Sequence, residues 1–315
     1  MPACFRRDCP RTYSLEEVNR SAAQWDPSSA ADARLEQAHL AAQAACQRSG
    51  KTASYASLEN GQHRNNATTG SLGSGGWCLE ASQRRAPRDS HVSLDHGQSY
   101  FLPTPHVAAD SKIVDFLAAT LRECVDPPAC RAPPTFLSVN DFGAGVGQYG
   151  HALLSIDPRH RWRGYDGAGN VAKVTERFVG YLDLTTPLSL PRADWVMSLE
   201  VGEHVPNEHE QMLVRNLHAH NCRGVLLSWA YPGKWGVGHV NNHGSGYLIG
   251  LFDSLGYVYD QAATARLREG RASKDVAFRN VSRPWFWFAR SVLVLARRTP
   301  LHGPGCTAGV RMARE

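Results

Sequence analysis

The sequence predicts an α/β fold: a doubly wound, mostly parallel seven-stranded sheet with helices on both faces and an antiparallel last strand. Three observations predict it. From residue 136 onward short apolar runs alternate with helical segments, the rhythm of βαβ units whose strands are covered on both faces. Four glycines crowd the turn after the first run, in "SVNDFGAGVGQYG" (138–150). The final run, Ser291 to Ala296, follows the aromatic segment 285–288 closely enough for an antiparallel hairpin with the sixth strand.

The elements follow in order. An Ala-rich segment, "SSAADARLEQAHLAAQAACQRSG" (28–50), has serines suited to capping and a thin apolar stripe of Leu35, Leu40, Ala42 and Ala45, which makes a peripheral helix. Residues 51–76 turn to Ser, Asn, Gly and Thr, too little apolar surface to offset the entropy of ordering, so they read as a linker. Asp110 caps a helix in which Ile113, Phe116, Leu117, Leu121 and Cys124 recur at helical spacing. The strands are then Phe136–Asn140, Arg161–Tyr165, Phe178–Leu182, Trp195–Leu199, Val225–Trp229, Tyr257–Tyr259 and Ser291–Ala296. Helices fall at Val146–Ile156, Val171–Arg177, Glu208–His220 and Gly246–Leu255. This divides the chain into a peripheral helix and linker (1–76), a helical lid on the substrate side (77–134), a core (135–298) and a tail (299–315).

Charge and composition exclude more than they name. The net charge is +5, yet the two signs are interspersed and no Lys/Arg run exceeds two, which argues against a nucleic-acid footprint. No run approaches the roughly 18 apolar residues of a membrane span, and the amino terminus has no apolar core of the secretory kind. The eight cysteines (Cys4, Cys9, Cys46, Cys78, Cys124, Cys130, Cys222, Cys306) form no CxxC pair, which suits reduced thiols. The expectation is a soluble, cytoplasmic protein.

In an open parallel sheet a ligand sits beyond the carboxyl ends of the strands, and a bare first turn lets the backbone approach it. Gly143, Gly145 and Gly147 occupy that turn. A dinucleotide is one candidate, because "GVGQYG" (145–150) matches G-x-G-x-x-G and Asp166 lies where it would reach ribose hydroxyls. Asp141 weighs against it. A carboxylate facing the turn repels a pyrophosphate and suits a cation, while Asp183 follows the third strand, placed for an exocyclic amine.

The series "VNDFGAGVGQYG", "RGYDGAGN", "YLDLT" and "ADWVMSLEVGEHV", in that order and spacing, resembles the class I S-adenosylmethionine-dependent methyltransferases, a Rossmann-like superfamily, over about residues 135–298. The resemblance implies S-adenosyl-L-methionine as cofactor. It puts Asp141, Gly143, Gly145 and Gly147 around the methionine part, Asp166 on the ribose hydroxyls, Asp183 at adenine N6, and Leu199 with Glu200 beside the cofactor.

On the acceptor side, "SLEVGEHVPNEHE" carries Glu200, Glu203 and His204, and "GHVNNHGSGY" carries His239 and His243. In one reading His239, His204 or His243, with Glu203, serves as general base or orients the acceptor. In another, Glu200, Glu203, His204 and His239 hold a divalent metal; this E-x-x-E-H arrangement resembles that of metal-dependent small-RNA 2′-O-methyltransferases and of some quinone-ring O-methyltransferases, although the same motif is widespread among methyltransferases of this class that carry no known metal. Against both stands the bland role of satisfying loop backbone. Trp229, Tyr231, Trp235 and Tyr247 are candidate substrate-binding aromatics, with Trp77 from the lid side, whereas "RPWFWFARSVLVLARR" (283–298) reads as core. The expected function is methyl transfer to O, N or S of a small polar metabolite. The alternatives are metal-assisted methylation of RNA or another macromolecule, and a catalytically inactive cofactor-binding scaffold. Residues 1–76 could also pair a second subunit into a homodimer.

Overall fold

The computed structural model describes residues 37, 40–44, 89–94, 98–103, 109–123, 135–234, 236, 238–269 and 287–307. Its strands are β1 Asp89–Leu94, β2 Gln98–Pro103, β3 Arg122–Glu123, β4 Thr135–Phe136, β5 Ser138–Phe142, β6 Arg161–Asp166, β7 Val179–Tyr181, β8 Ala193–Leu199, β9 Asn221–Ser228, β10 Tyr257–Tyr259 and β11 Val292–Arg297. The helices are α1 Ser111–Thr120, α2 Gln148–Ile156, α3 Val171–Val174, α4 Glu210–Ala219, α5 Ser245–Ser254, α6 Gln261–Arg268 and α7 Phe288–Ser291.

Seven strands form one sheet in the order β7-β6-β5-β8-β9-β11-β10. β5 lies parallel to β6, with Ser138 opposite Arg161, and to β8, with Val139 opposite Trp195. β7 and β9 extend the parallel set on either side. β11 enters antiparallel between β9 and β10, pairing Val292 with Ser228 and Arg297 with Tyr257. The pleat sends alternate residues to opposite faces. Leu226, Val292 and Val294 join Ile113, Leu117, Leu153 and Trp162 on one side, whereas Val225, Leu227, Leu293 and Leu295 join Leu213, Leu251 and Phe252 on the other. Both cores are buried because helices cover both faces.

Several boundaries move, for physical reasons. β9 starts at Asn221, not Val225, because its polar first residues find partners inside: Asn221 Nδ2 donates to Leu217 O at 2.8 Å and to the Tyr257 hydroxyl at 2.6 Å. α6 was not anticipated; its buried face is only Ala263, Thr264 and Leu267, and Asp260 caps it by accepting from Ala263 N at 2.8 Å. The segment expected to be a helical lid contains the antiparallel β1–β2 hairpin as well as α1. α1 has the expected cap, Asp110 accepting from Ile113 N at 3.0 Å. In the Ala-rich segment residues 37 and 40–44 are helical, with Ala42 buried and Leu40 exposed.

The cysteine expectation is overturned. Cys222 and Cys306 form a disulfide, with Cα atoms 5.7 Å apart. The chain after β11 doubles back: Leu301 N donates to Cys222 O, and Thr307 donates to both carboxylate oxygens of buried Asp194 through its N–H (2.9 Å) and hydroxyl (2.6 Å). A separation of 84 residues hides such a pair from any spacing rule. Stable disulfides belong to oxidising environments, so the cysteine argument for a cytoplasmic location falls; the other six cysteines lie outside the described residues. No described helix is long and apolar enough to cross a membrane.

Candidate active site

The carboxyl ends of β5 to β9 meet at one edge of the sheet. The turn after β5 carries Gly143, Gly145 and Gly147, all in the left-handed region at φ +85°, +58° and +85°, where a Cβ is strained. Space forbids side chains as well. A Cβ at Gly143 would run into Val201, and one at Gly147 would lie 2.7 Å from the Phe178 ring. Gly143 N and Ala144 N both donate to Tyr165 O, fastening the turn to β6.

Asp166, at the tip of β6, accepts from Gly145 N at 2.8 Å through Oδ2 and from Ala168 N at 2.9 Å through Oδ1. It therefore sets the position of the glycine turn. Asp183, half-buried after β7, accepts from Thr185 N (2.9 Å) and Thr185 Oγ1 (2.6 Å) through Oδ1. Asp141, expected to face the turn, is closed in by the ring that packs beside it. It is 2 % exposed, and its Oδ2 accepts from Trp162 Nε1 at 3.2 Å. Burial pushes its carboxyl up to about 8, and the neighbouring Asp166 adds to the rise.

A three-ring stack supports this turn and was not foreseen. Trp162 stacks on Phe178 with centroids 5.0 Å apart, and Phe178 on His151 at 4.0 Å. Bare backbone admits the indole: a Cβ at Gly150 would lie 2.5 Å from Trp162 Cε3, and one at Gly164 would overlap its six-membered ring. The sequence signal was a glycine in a predicted helix and another in a predicted strand, both of which mark close approach.

β8 ends at Leu199, and Glu200 then takes a left-handed φ of +55°, a conformation costing a non-glycine residue about 1–2 kcal/mol. The backbone is held there by Glu200 N–H donating to Ser228 Oγ at 2.8 Å, and Glu200 Oε1 accepts from Ser291 Oγ at 2.9 Å. Glu203, in the single 3₁₀ turn that follows, is fully buried, and neither carboxyl oxygen has a hydrogen-bond partner by donor–acceptor geometry. Burial and the Glu200 charge hold its carboxyl well above the usual range, and burial also raises Glu200. Two carboxyls this close disfavour each other's ionisation.

The loop 238–243 closes over Glu203. Val240 N and Asn241 N both donate to Glu203 O, which brings His239 Nε2 to 4.0 Å from Glu203 Oε1. His204 meets His239 edge-on with centroids 5.0 Å apart, and its Nδ1 lies 3.3 Å from Gly238 O; only Nδ1–H can donate to a carbonyl, which puts the lone pair on Nε2. Ligand atoms of Glu203, His204 and His239 lie within 4.8 Å of one another. Burial, with Lys234 nearby, lowers the His239 pKa, so its imidazole is neutral at pH 7. Glu200 is turned to Ser291 and stands outside this three-residue group.

Three of the expected site residues are buried and tied to interior partners. His243 Nε2 lies 2.7 Å from Glu210 Oε2, and the Tyr247 hydroxyl and Asn241 Nδ2 (3.0 Å) donate to the same carboxylate. His243 stacks on Tyr247, and Trp229, 1 % exposed, donates its indole N–H to Asn241 O at 2.5 Å while filling the space over Gly202. These rings are thus buried and held by interior partners beside the loop 238–243. Glu210, fully buried at the start of α4, looked in the sequence like any solvated helix-start acid. Tyr231 remains half-buried beside the loop, and Trp235 and Trp77 lie outside the described residues.

The sheet separates the two nucleotide readings. A dinucleotide-binding sheet is mostly parallel, in the order 3-2-1-4-5-6. Here the order across the sheet is 3-2-1-4-5-7-6, with the seventh strand antiparallel. The order and the antiparallel seventh strand fit the doubly wound, mostly parallel sheet expected from the resemblance of the sequence motifs to class I S-adenosylmethionine-dependent methyltransferases. Among solved structures, the chain is similar to magnesium protoporphyrin IX methyltransferase from Synechocystis PCC 6803 with bound S-adenosylhomocysteine, at 16% identity and TM-score 0.38 over 59% of this chain and 81% of that one. It is also similar to an O-methyltransferase family protein from Burkholderia thailandensis, at 11% identity and TM-score 0.37 over 60% and 56% of the two chains. The neocarzinostatin O-methyltransferase NcsB1 shows 17% identity and TM-score 0.34 over 52% and 49%. No family model and no curated protein matches the sequence.

Proposed function

We propose that this protein is an S-adenosylmethionine-dependent methyltransferase acting on O, N or S of a small polar metabolite. The observation that carries the reading is the row of acids at successive strand tips, Asp166 tied to a glycine turn with three left-handed residues and Asp183 one strand further out. The residues fit the group: bare backbone at Gly143, Gly145 and Gly147 admits close approach of a ligand, and carboxylates suit a cation and hydroxyl donors. When bound, S-adenosylmethionine supplies a methyl group activated on a sulfonium. The chain's own residues then have three tasks. The glycine turn and Asp166 bind and orient, the Trp229–His243–Tyr247 wall excludes water, and neutral His239 accepts a proton from the acceptor.

Calorimetry with S-adenosylhomocysteine should show one site, abolished in Asp166→Ala, and turnover of a metabolite extract should release S-adenosylhomocysteine. Absence of binding to the intact protein would remove the proposal.

A second reading adds a divalent metal held by Glu203, His204 and His239, favoured by a fully buried carboxyl without a hydrogen-bond partner that faces two imidazoles. Such an ion would lower the pKa of an acceptor hydroxyl. Manganese titration followed by electron paramagnetic resonance should show one site in the intact protein and none in Glu203→Ala. Indifference of turnover to a chelator, with no manganese bound, leaves the His239 base.

A further inference from the structure

Beside the acceptor side, two segments hold each other through crossed contacts. The turn 231–234 follows β9, and Trp287 with α7 leads into β11. The Arg290 guanidinium lies over the Tyr231 ring, 4.2 Å from its centroid, and Lys234 Nζ lies 5.6 Å from the centroid of Trp287. Each segment thus gives one cation to the other's aromatic ring. Both are fixed from behind: Asn242 Nδ2 donates to Tyr231 O (3.2 Å) and Lys234 O (2.8 Å), while Ser245 Oγ and Arg268 Nη2 each donate to Arg290 O at 3.0 Å.

The place matters as much as the pairing. Ser291, next to Arg290, donates to Glu200 beside the cofactor end of β8, and Asn242 belongs to the same loop as His239. The cations therefore border the ground that an acceptor must occupy. Arg290 is exposed, and among the described residues no ion pair uses it. A guanidinium over a ring still carries N–H donors at its edge, in the planar fork that matches carboxylate and phosphate oxygens.

We propose that Arg290 and Lys234 bind an anionic group, carboxylate or phosphate, of the methyl acceptor, with Tyr231 and Trp287 flanking its planar or apolar body. The inference rests on the methyltransferase reading and narrows its substrate class to anionic acceptors.

The test uses the full chain saturated with S-adenosylhomocysteine and three probes of one shape: benzoate, phenyl phosphate and the neutral benzyl alcohol, each titrated by ligand-observed NMR. The expected result is that at least one anion binds about tenfold or more tighter than the alcohol, a difference of about 1.4 kcal/mol, and more weakly as salt rises. Preference for benzoate points to a carboxylate acceptor and preference for phenyl phosphate to a phosphorylated one. Arg290→Gln and Lys234→Gln together should erase the preference, and Arg290→Lys should keep part of it. Equal binding of all three probes, or an anion preference untouched by the substitutions, overturns the inference and leaves the cations as fasteners between the segments. Calorimetry with S-adenosylhomocysteine, run on the same samples, reports folding of the variants. Loss of that binding in the intact protein removes the methyltransferase reading, whereas intact binding without anion preference removes only this inference.

Discussion

Glu210 offers the sharpest test of the reasoning about the wall of the site. Its carboxylate is fully buried and accepts from His243 Nε2 at 2.7 Å, Asn241 Nδ2 at 3.0 Å and the Tyr247 hydroxyl. Glu210→Ala leaves three donors facing a small cavity. Each lone buried donor costs about 1–3 kcal/mol, but the three share one network and are not additive, so a loss of about 4 kcal/mol is expected. For a domain of this size that lowers the melting temperature by roughly 8–16 °C, measured by circular dichroism with a urea titration alongside. Glu210→Gln, which keeps the shape and one acceptor oxygen, should lose about half as much. Burial alone would raise the Glu210 pKa, but the bonds from His243, Tyr247 and Asn241 outweigh it and hold the group below its usual 4.5. A depressed carboxylate contributes stability that is present above its unfolded pKa and lost as pH falls through its folded one. The intact protein should therefore lose this contribution below about pH 4.5, and Glu210→Gln should lack that acid-side loss. A Glu210→Ala protein within about 1 kcal/mol of the intact one would refute the network as a structural element.

Three further outcomes are expected. Cys222→Ser opens a loop closed over 84 residues, for which chain entropy gives about 4–5 kcal/mol; urea unfolding with and without reductant should reproduce the loss in the intact protein only. Gly164→Ala forces a methyl group into the Trp162 ring, so stability should fall by about 1–3 kcal/mol and S-adenosylhomocysteine affinity should fall with it, read by calorimetry. Asp141, raised to about 8, binds a proton in the folded state that the unfolded chain releases. Its stabilising contribution is complete below about pH 4 and disappears as pH rises toward 8, with a slope of up to about 1.4 kcal/mol per pH unit. Asp141→Asn, which still accepts from Trp162, should flatten that limb in the ligand-free protein.

What the sequence determined by itself was whatever has a short repeat or a local geometric demand. The period-two burial of Val225 to Leu227 and Val292 to Leu295, the left-handed glycines 143, 145 and 147, and the acids at strand tips are written within a few residues of one another. From these the sheet and the edge that carries the candidate site were legible. Only the tertiary structure decided which polar and aromatic groups face the site. Nothing local to Trp229 and Tyr247 announces that Asn241 and Glu210 hold them, and nothing local to His243 announces Glu210, 33 residues away. Cys222 and Cys306 look like separate thiols until the chain after β11 folds back across the start of β9. Burial and pairing depend on what arrives from the far side of a side chain. That partner comes from distant sequence, placed by the packing of the whole sheet, so no local pattern can carry it.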